Sequence, residues 1–136
     1  MADIKSSTIL SENTRQIVMA FQYQYVDGGD ESEVKKVDVS TLQSNDNGNP
    51  CTGVKITKCT WVVKGMTVRV LADADADIIM LNLDEGQSGE VDYTDYGGLP
   101  STNQTGTNPT GDIFFTTTGA GSGDSYQIVL TMIKEY

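Results

Sequence analysis

The chain has 136 residues, a formal net charge of −10 and no histidine. A single domain of this length buries roughly two-thirds of the surface that its unfolded chain exposes, so its core needs no disulfide or metal. The lack of histidine removes the commonest general base and metal ligand, which argues against an enzyme.

The negative charge is confined to one half of the sequence. Residues 1–70 contain eight acidic and eight basic residues, whereas residues 71–136 contain eleven acidic residues and one base, Lys134. Nucleic-acid binding needs clustered cations, and the chain has one adjacent pair, Lys35-Lys36. The longest apolar run, residues 77–83, is far shorter than the roughly 20 residues of a membrane-spanning helix. We therefore expect neither nucleic acid nor a membrane as a partner.

The N-terminal segment lacks a pattern, and the segment that follows has a clear one. Residues 1–14 are polar and aperiodic, which predicts a flexible N-terminal arm before a single domain over residues 15–136. From Gln16 to Val26 apolar residues recur at every second position, as in a strand with one buried face. These residues are Ile17, Met19, Phe21, Tyr23 and Tyr25.

A turn and a returning strand are predicted next. Asp27-Gly-Gly-Asp30 has the composition of a tight turn, and Glu33 to Leu42 resembles a strand that returns from it. In this strand Val37 and Val39 would face one side, and Lys36 and Asp38 the other. A polar loop follows over residues 43–50.

Four more strands are predicted in the middle of the chain. Trp61 is the largest apolar side chain available and is expected to anchor the core. The two cysteines, Cys51 and Cys59, are expected to be reduced, buried and small, in a protein made in a cytoplasm. The four strands are Thr52–Val63, Met66–Ala72, Ile78–Leu83 and Ser88–Thr94.

The end of the sequence indicates the fold class. The uncharged interval Gly97 to Gly111, rich in glycine, threonine and asparagine, predicts a long surface loop of the kind that serves binding or assembly. The runs 111–118 and 125–133, joined by a glycine-rich connection, predict a hairpin. About eight short strands without a helical stretch predict an all-β, single-domain antiparallel β-sandwich of jelly-roll type, with a small β-barrel as the alternative.

The most conspicuous polar cluster is Asp73-Ala-Asp-Ala-Asp77. In an extended segment Asp73, Asp75 and Asp77 would share one face, about 7 Å apart, and such a row can collect a hard cation such as calcium. A calcium site needs six or more converging oxygens, whereas this spacing provides a row. An acidic turn between two strands is therefore the favoured interpretation, and we predict no cofactor and no catalytic residue.

Several motifs in chain order resemble a family of small structural proteins of tailed bacteriophages, including marine phages that infect cyanobacteria. The resemblance spans most of the chain after residue 15, and the Asp73 to Asp77 segment departs from it. The motifs are Lys36-Val-Asp-Val-Ser40, Cys51-Thr-Gly-Val-Lys-Ile56 leading to Trp61 and Gly65-Met66, Tyr96-Gly-Gly-Leu-Pro100, Thr110-Gly-Asp-Ile-Phe-Phe-Thr-Thr117 and Gly123-Asp-Ser-Tyr-Gln-Ile-Val-Leu130.

The resemblance implies a non-enzymatic virion component, namely a decoration or cement protein on the outer surface of the capsid. Its implied partner is the major capsid protein, and its implied assembly is a homo-oligomer. The N-terminal arm and the Gly97 to Gly111 loop are the expected contact elements. The alternative is a carbohydrate- or ligand-binding β-sandwich of a tail or fibre, using Tyr93, Tyr96 and calcium at Asp73, Asp75 and Asp77.

Overall fold

The computed structural model describes residues 4–26, 31–83, 88–104 and 106–136. Within these ranges the chain forms nine strands, two 3₁₀ turns (Val39–Thr41 and Thr94–Tyr96) and no α-helix. The turn predicted at Asp27–Asp30 and the first three residues of the predicted arm lie outside the described residues. The strands are β1 (Ile4–Glu12), β2 (Gln16–Gln24), β3 (Val34–Val37), β4 (Gly53–Lys64), β5 (Thr67–Ala72), β6 (Ile78–Leu83), β7 (Ser88–Asp92), β8 (Ile113–Thr118) and β9 (Ser125–Glu135).

The strands form two antiparallel sheets that pack face to face. One sheet has the order β1-β2-β9-β4-β7 and the other has the order β3-β8-β5-β6. With β1 set aside, two four-stranded sheets whose strand order crosses repeatedly between them form a jelly roll. The predicted antiparallel β-sandwich is confirmed, and the described strands form two sheets rather than the alternative closed barrel.

The predicted alternation of buried and exposed residues is confirmed in the central strands. In β2, Ile17, Phe21 and Tyr23 are buried while Gln22 and Gln24 are exposed. In β9 the inward residues begin at Tyr126 and continue at every second position. Aromatic rings close one end of the core: Phe115 packs edge to face against Phe21, and Tyr23 stacks on Tyr126 with ring centroids 5.3 Å apart. Burial of these side chains is the main source of stability for the sandwich.

The prediction that Trp61 anchors the core is partly wrong, because this side chain packs against the margin of the core and is not fully buried. A bulge at Thr57 shifts the register of β4 against β9 and places Trp61 on the same inward face as Cys59 and Val63, where it is partly buried opposite Gly89 of β7. Its ring occupies the space over Gly89, where an added Cβ would lie 3.2 Å from Trp61 Cζ2. The largest fully buried side chains are instead Tyr126, Phe21 and Phe115.

The predicted hairpin between the last two strands is also wrong. Strand β8 pairs with β3 and β5, whereas β9 pairs with β2 and β4 in the opposite sheet. The glycine-rich connection therefore crosses between the sheets. It is held by the Asp124 carboxylate, which accepts a hydrogen bond from Gly121 N at 2.7 Å. Similarly, β3 does not return beside β2 but lies in the other sheet.

The predicted flexible arm requires correction, because residues 4–12 form strand β1. This strand pairs with β2, and the turn between them is closed by the Asn13 side chain, which accepts from the backbone N–H groups of Arg15 and Gln16. Residues 4–11 are exposed on both faces of the strand, so no alternation marks it in the sequence.

An ion pair fixes the far end of β1 to the core. The fully buried Lys134 ammonium donates to Glu12 Oε2 at 2.6 Å and to the Gln43 carbonyl at 3.2 Å. Although burial alone would raise the pKa of Glu12, its hydrogen bonds with Lys134 and Gln43 hold that pKa below its ordinary value. Lys134, the only basic residue of residues 71–136, therefore has a structural role.

Candidate functional site

Two segments singled out from the sequence, the acidic turn and the uncharged loop, meet at one end of the sandwich. The Asp73–Asp77 turn connects β5 to β6, and the Gly97 to Gly111 loop leads from the 3₁₀ turn after β7 into β8. Because antiparallel strands bring these connections to the same end, the loop lies against the acidic turn. Backbone hydrogen bonds join them, from Asp75 N to the Thr107 carbonyl at 2.9 Å and from Thr110 N to the Asp73 carbonyl at 3.1 Å.

Each of the three aspartates is engaged within the protein. Asp73 accepts from the Thr110 hydroxyl at 2.7 Å, and Asp75 accepts from the Asn108 side-chain amide at 2.8 Å. Asp77 accepts from the backbone N–H of Ala74 at 3.2 Å. Two of these carboxylates therefore fasten the acidic turn to the loop. The structure supports the interpretation as an acidic turn.

One carboxylate near this turn was not found from the sequence. The Glu33 carboxyl group hydrogen-bonds Asp77, and this bond together with the Asp77 charge raises the pKa of Glu33. The neighbouring Lys35 forms an ion pair with Asp112 at 3.2 Å, which raises the pKa of Lys35. More than 40 residues separate Glu33 from Asp77 in sequence, so no local spacing could have indicated the contact.

Within the part of the chain that the structure describes, no three acidic or cysteine side chains are arranged to hold a metal ion. Because Asp73, Asp75 and Asp77 each accept a hydrogen bond within the protein, we expect no calcium binding at this turn, and a titration with millimolar Ca²⁺ should give no binding heat by calorimetry and no rise in melting temperature from it. The Asp75→Asn variant is the matched control and should behave identically. A melting shift that appears in the wild-type protein and disappears in Asp75→Asn would contradict this expectation.

The Gly97 to Gly111 loop is anchored in its middle. The Thr102 hydroxyl donates to the Gly111 carbonyl at 2.7 Å, accepts from Val54 N at 2.9 Å, and is completely buried. The loop was predicted to lie on the surface, and this holds for Gln104 and for residues 106–108 but not for Ser101 and Thr102. In the described part of the loop, the exposed residues therefore form an uncharged surface next to a buried, hydrogen-bonded anchor.

The two tyrosines of the alternative function differ in exposure. Tyr93 is partly buried against the core, and its backbone N–H donates to the Thr57 carbonyl. Tyr96 is 83% exposed and is the most exposed large apolar side chain of the described residues. The nearby Asp92 accepts from both the backbone N–H and the hydroxyl of Thr94. The Asp92 carboxylate therefore stabilises the chain reversal at Thr94, and of the two tyrosines it is Tyr96 that is exposed.

The two cysteines are buried and unbonded, as predicted. Burial raises the pKa of Cys59 to about 12 and also raises the pKa of Cys51. Because a thiol must ionise to act as a nucleophile or a metal ligand, neither cysteine is placed for chemistry.

A buried ionic group at the aromatic end of the core was missed. Lys36 was predicted to face outward, but it lies in a bulge of β3 with its ammonium 2.7 Å from Glu31 Oε2. The Tyr126 hydroxyl donates to Glu31 Oε1 at 2.6 Å. Burial and then this hydrogen bond raise the pKa of Tyr126, so its hydroxyl remains a donor. The ionic group fills this end of the core, and neither Glu31 nor Lys36 lines either of two depressions on the described surface.

No protein-family model matches the sequence, and no curated protein does. Among solved structures, the chain is similar to an RmlC-like cupin protein from Desulfovibrio desulfuricans, with 9% identity and a TM-score of 0.33. The match covers 93% of this chain and 80% of the cupin chain. A likeness this distant carries no functional argument. In the described residues, no helix has the length and apolar character needed to cross a bilayer.

Proposed function

We propose that the chain is a non-enzymatic structural protein of a tailed-phage virion, a decoration or cement protein that binds the outside of the capsid and stabilises it. In this proposal its partner is the major capsid protein, it works as a homo-oligomer, and it is made in the host cytoplasm. The resemblance in sequence to phage structural proteins is the starting point.

The observation that carries the proposal is the uncharged surface of the Gly97 to Gly111 loop beside Tyr96. The buried hydroxyl of Thr102 holds the loop in place, so binding would not require it to be ordered first. Exposed tyrosines are enriched among residues that dominate protein interfaces. We propose this surface as the contact with the capsid.

The rest of the described structure favours a protein that acts by binding through its surface over one that acts by catalysis. Two depressions, of about 350 and 490 Å³, are lined by no carboxylate and no thiol. The chain contains no histidine, and Asp73, Asp75, Asp77 and Asp92 are all hydrogen-bonded within the fold. The negative charge of the second half of the chain would keep the outward face of a decorated particle soluble.

Co-sedimentation with purified, undecorated heads tests the contact. Wild-type protein should pellet with the heads, and Tyr96→Ala should weaken binding by about fivefold or more, because loss of a central aromatic contact typically costs more than about 1 kcal/mol. Val62→Ala is the matched control, since Val62 is 51% exposed on the outer face of the five-stranded sheet, away from the loop. It should bind like the wild type.

Two results would contradict the proposal. The first is absence of the protein from purified particles by mass spectrometry, together with no binding to heads. The second is binding to heads that Tyr96→Ala leaves unchanged, which would reject the loop surface as the contact. A protein that is absent from particles but binds a glycan through Tyr96 would instead favour the carbohydrate-binding alternative.

A further inference from the structure

The outer edge of β1 is a second surface available for assembly. One side of β1 pairs with β2, and no described strand pairs with the other side. Such an edge presents a row of backbone N–H and C=O groups that another strand can pair with. At nine residues, β1 is the longest of the four strands at the edges of the two sheets.

The other three edge strands are shorter than β1, and two of them carry charged side chains that hinder pairing. Strand β3 has four residues, two of which are Lys35 and Lys36, and β7 has five residues, including Glu90 and Asp92. Strand β6 is uncharged and exposes Ile79, but with six residues it offers a shorter row of backbone groups than the nine of β1. Strand β1 is less protected.

The charge of β1 permits a second copy to approach. Its two charged residues, Lys5 and Glu12, have opposite signs, so the strand is neutral in a chain with a net charge of −10. Lys5 lies over the Tyr23 ring at 6.0 Å, and Glu12 is paired with Lys134. Between them, residues 6–11 are uncharged. Like-charge repulsion, which the acidic half of the chain would cause at other surfaces, is absent here.

Apolar side chains on β1 also remain uncovered. Ile4, Ile9 and Leu10 are 57%, 47% and 58% exposed, and the register places Ile4 and Ile9 on opposite faces of the sheet. A strand added along this edge would partly cover Ile4 on one face of the sheet and Ile9 on the other.

We propose that β1 pairs antiparallel with β1 of a second copy across a two-fold axis, joining the two five-stranded sheets into one continuous sheet. This inference specifies how the homo-oligomer of the proposed function would form. It rests on the proposed function only in assuming that the chain forms a homo-oligomer. An isologous pair of this kind is the commonest closed assembly of identical chains.

The register of the pair follows from the strand itself. Directly opposed residues in an antiparallel pair lie on the same face of the sheet. One residue of β1 must therefore lie directly opposite the same residue of the second copy, with the two-fold axis between them. The β1–β2 register is regular from Ile4 to Ile9 and is interrupted by a bulge before Ser11. Centring the pair on Ser7 pairs residues 5–9 of the regular segment, an overlap that only a centre on Ser6 equals, and we take Ser7 as the centre. It also places Lys5 opposite Ile9, so the two lysines do not face each other.

Sedimentation velocity at a monomer concentration of about 100 µM tests the pairing. The wild-type protein should have twice the 14.7 kDa mass of one chain. Ser7→Lys should be monomeric with an unchanged melting temperature, because Ser7 is exposed in the monomer and two lysines would meet at the axis. Asn82→Lys, on the exposed edge strand β6, is the matched control and should remain dimeric.

Disulfide crosslinking fixes the position of the contact. Ser7→Cys should give a crosslinked dimer on mild oxidation, whereas Asn82→Cys should not, and the buried native cysteines should not compete. A monomeric wild type, a trimer, or a dimer that survives Ser7→Lys would overturn the inference. Head binding is measured separately: head binding by a monomeric wild type rejects the β1 pair alone, and a β1 dimer that ignores heads rejects the proposed function alone.

Discussion

Replacing Lys36 by methionine should lower the free energy of unfolding by about 3–5 kcal/mol, the cost typical of leaving one partner of a buried ion pair alone. The side chains of Lys36 and Glu31 are 5% and 2% exposed, so the Glu31 carboxylate would lose its counter-ion without gaining water. The Tyr126 hydroxyl would still donate to Glu31, but a hydrogen bond does not neutralise the charge. Urea denaturation followed by tryptophan fluorescence measures the change.

Two further variants test whether the loss of stability in Lys36→Met comes from leaving a buried charge unpaired or from removing any lysine. Lys35→Met is the matched control, because Lys35 is adjacent in sequence and its side chain is 47% exposed in its pair with Asp112. Its effect should be about 1 kcal/mol or less. The double variant Lys36→Met/Glu31→Gln should be more stable than Lys36→Met alone, since the unpaired charge is gone and the glutamine can still accept from Tyr126. Equal effects of Lys35→Met and Lys36→Met would contradict this account.

Replacing Gly111 by alanine should destabilise the protein by about 2–5 kcal/mol, as the combined cost of backbone strain and overpacking. Gly111 has a φ of +89°, in a region that side chains rarely adopt, and an added Cβ would lie 2.0 Å from the Thr52 carbonyl oxygen. The backbone would have to move, and the Thr102 hydroxyl bonds the Gly111 carbonyl. Movement of the Gly111 backbone would break this hydrogen bond, which anchors the Gly97 to Gly111 loop.

Gly97→Ala separates strain from contact at the other end of the same loop. Gly97 has a φ of +78°, but a Cβ added there would meet nothing within 4 Å, so the change should cost about 1 kcal/mol from strain alone. Both variants are compared by urea denaturation and by co-sedimentation with heads. Gly111→Ala should reduce both stability and head binding, whereas Gly97→Ala should reduce stability slightly. A Gly111→Ala variant as stable as Gly97→Ala would show that the Thr52 contact is not restrictive.

The strands with one buried face could be predicted from the sequence because their side chains alternate. In β2 and β9 the inward positions are apolar, and both strands were predicted within two residues of their observed ends. The same reasoning failed for β1, because water covers both its faces and alternation has no reason to appear. It also failed for Lys36, since a bulge turns this side chain inward, toward Glu31.

The connections between strands show a second limit. Glycine-rich segments mark a reversal of the chain, but a reversal within one sheet and a crossing to the other sheet use similar residues. The segment before Ser125 was therefore predicted to close a hairpin, and it crosses the sandwich instead. The Asp73–Asp77 cluster was predicted to be a turn from its acids and its position. The threonine and asparagine that bond these acids come from the loop more than 30 residues later.

The sequence by itself determined the all-β class, the alternating core strands, the acidic turn and the uncharged loop, because each depends on neighbouring residues along the chain. The tertiary structure alone decided the sheet to which each strand belongs, the edge position of β1, and the pairing of Lys36 with Glu31 and of Lys134 with Glu12. These features depend on which distant segments meet. That choice is made by burial of the whole core and leaves little trace in any one segment.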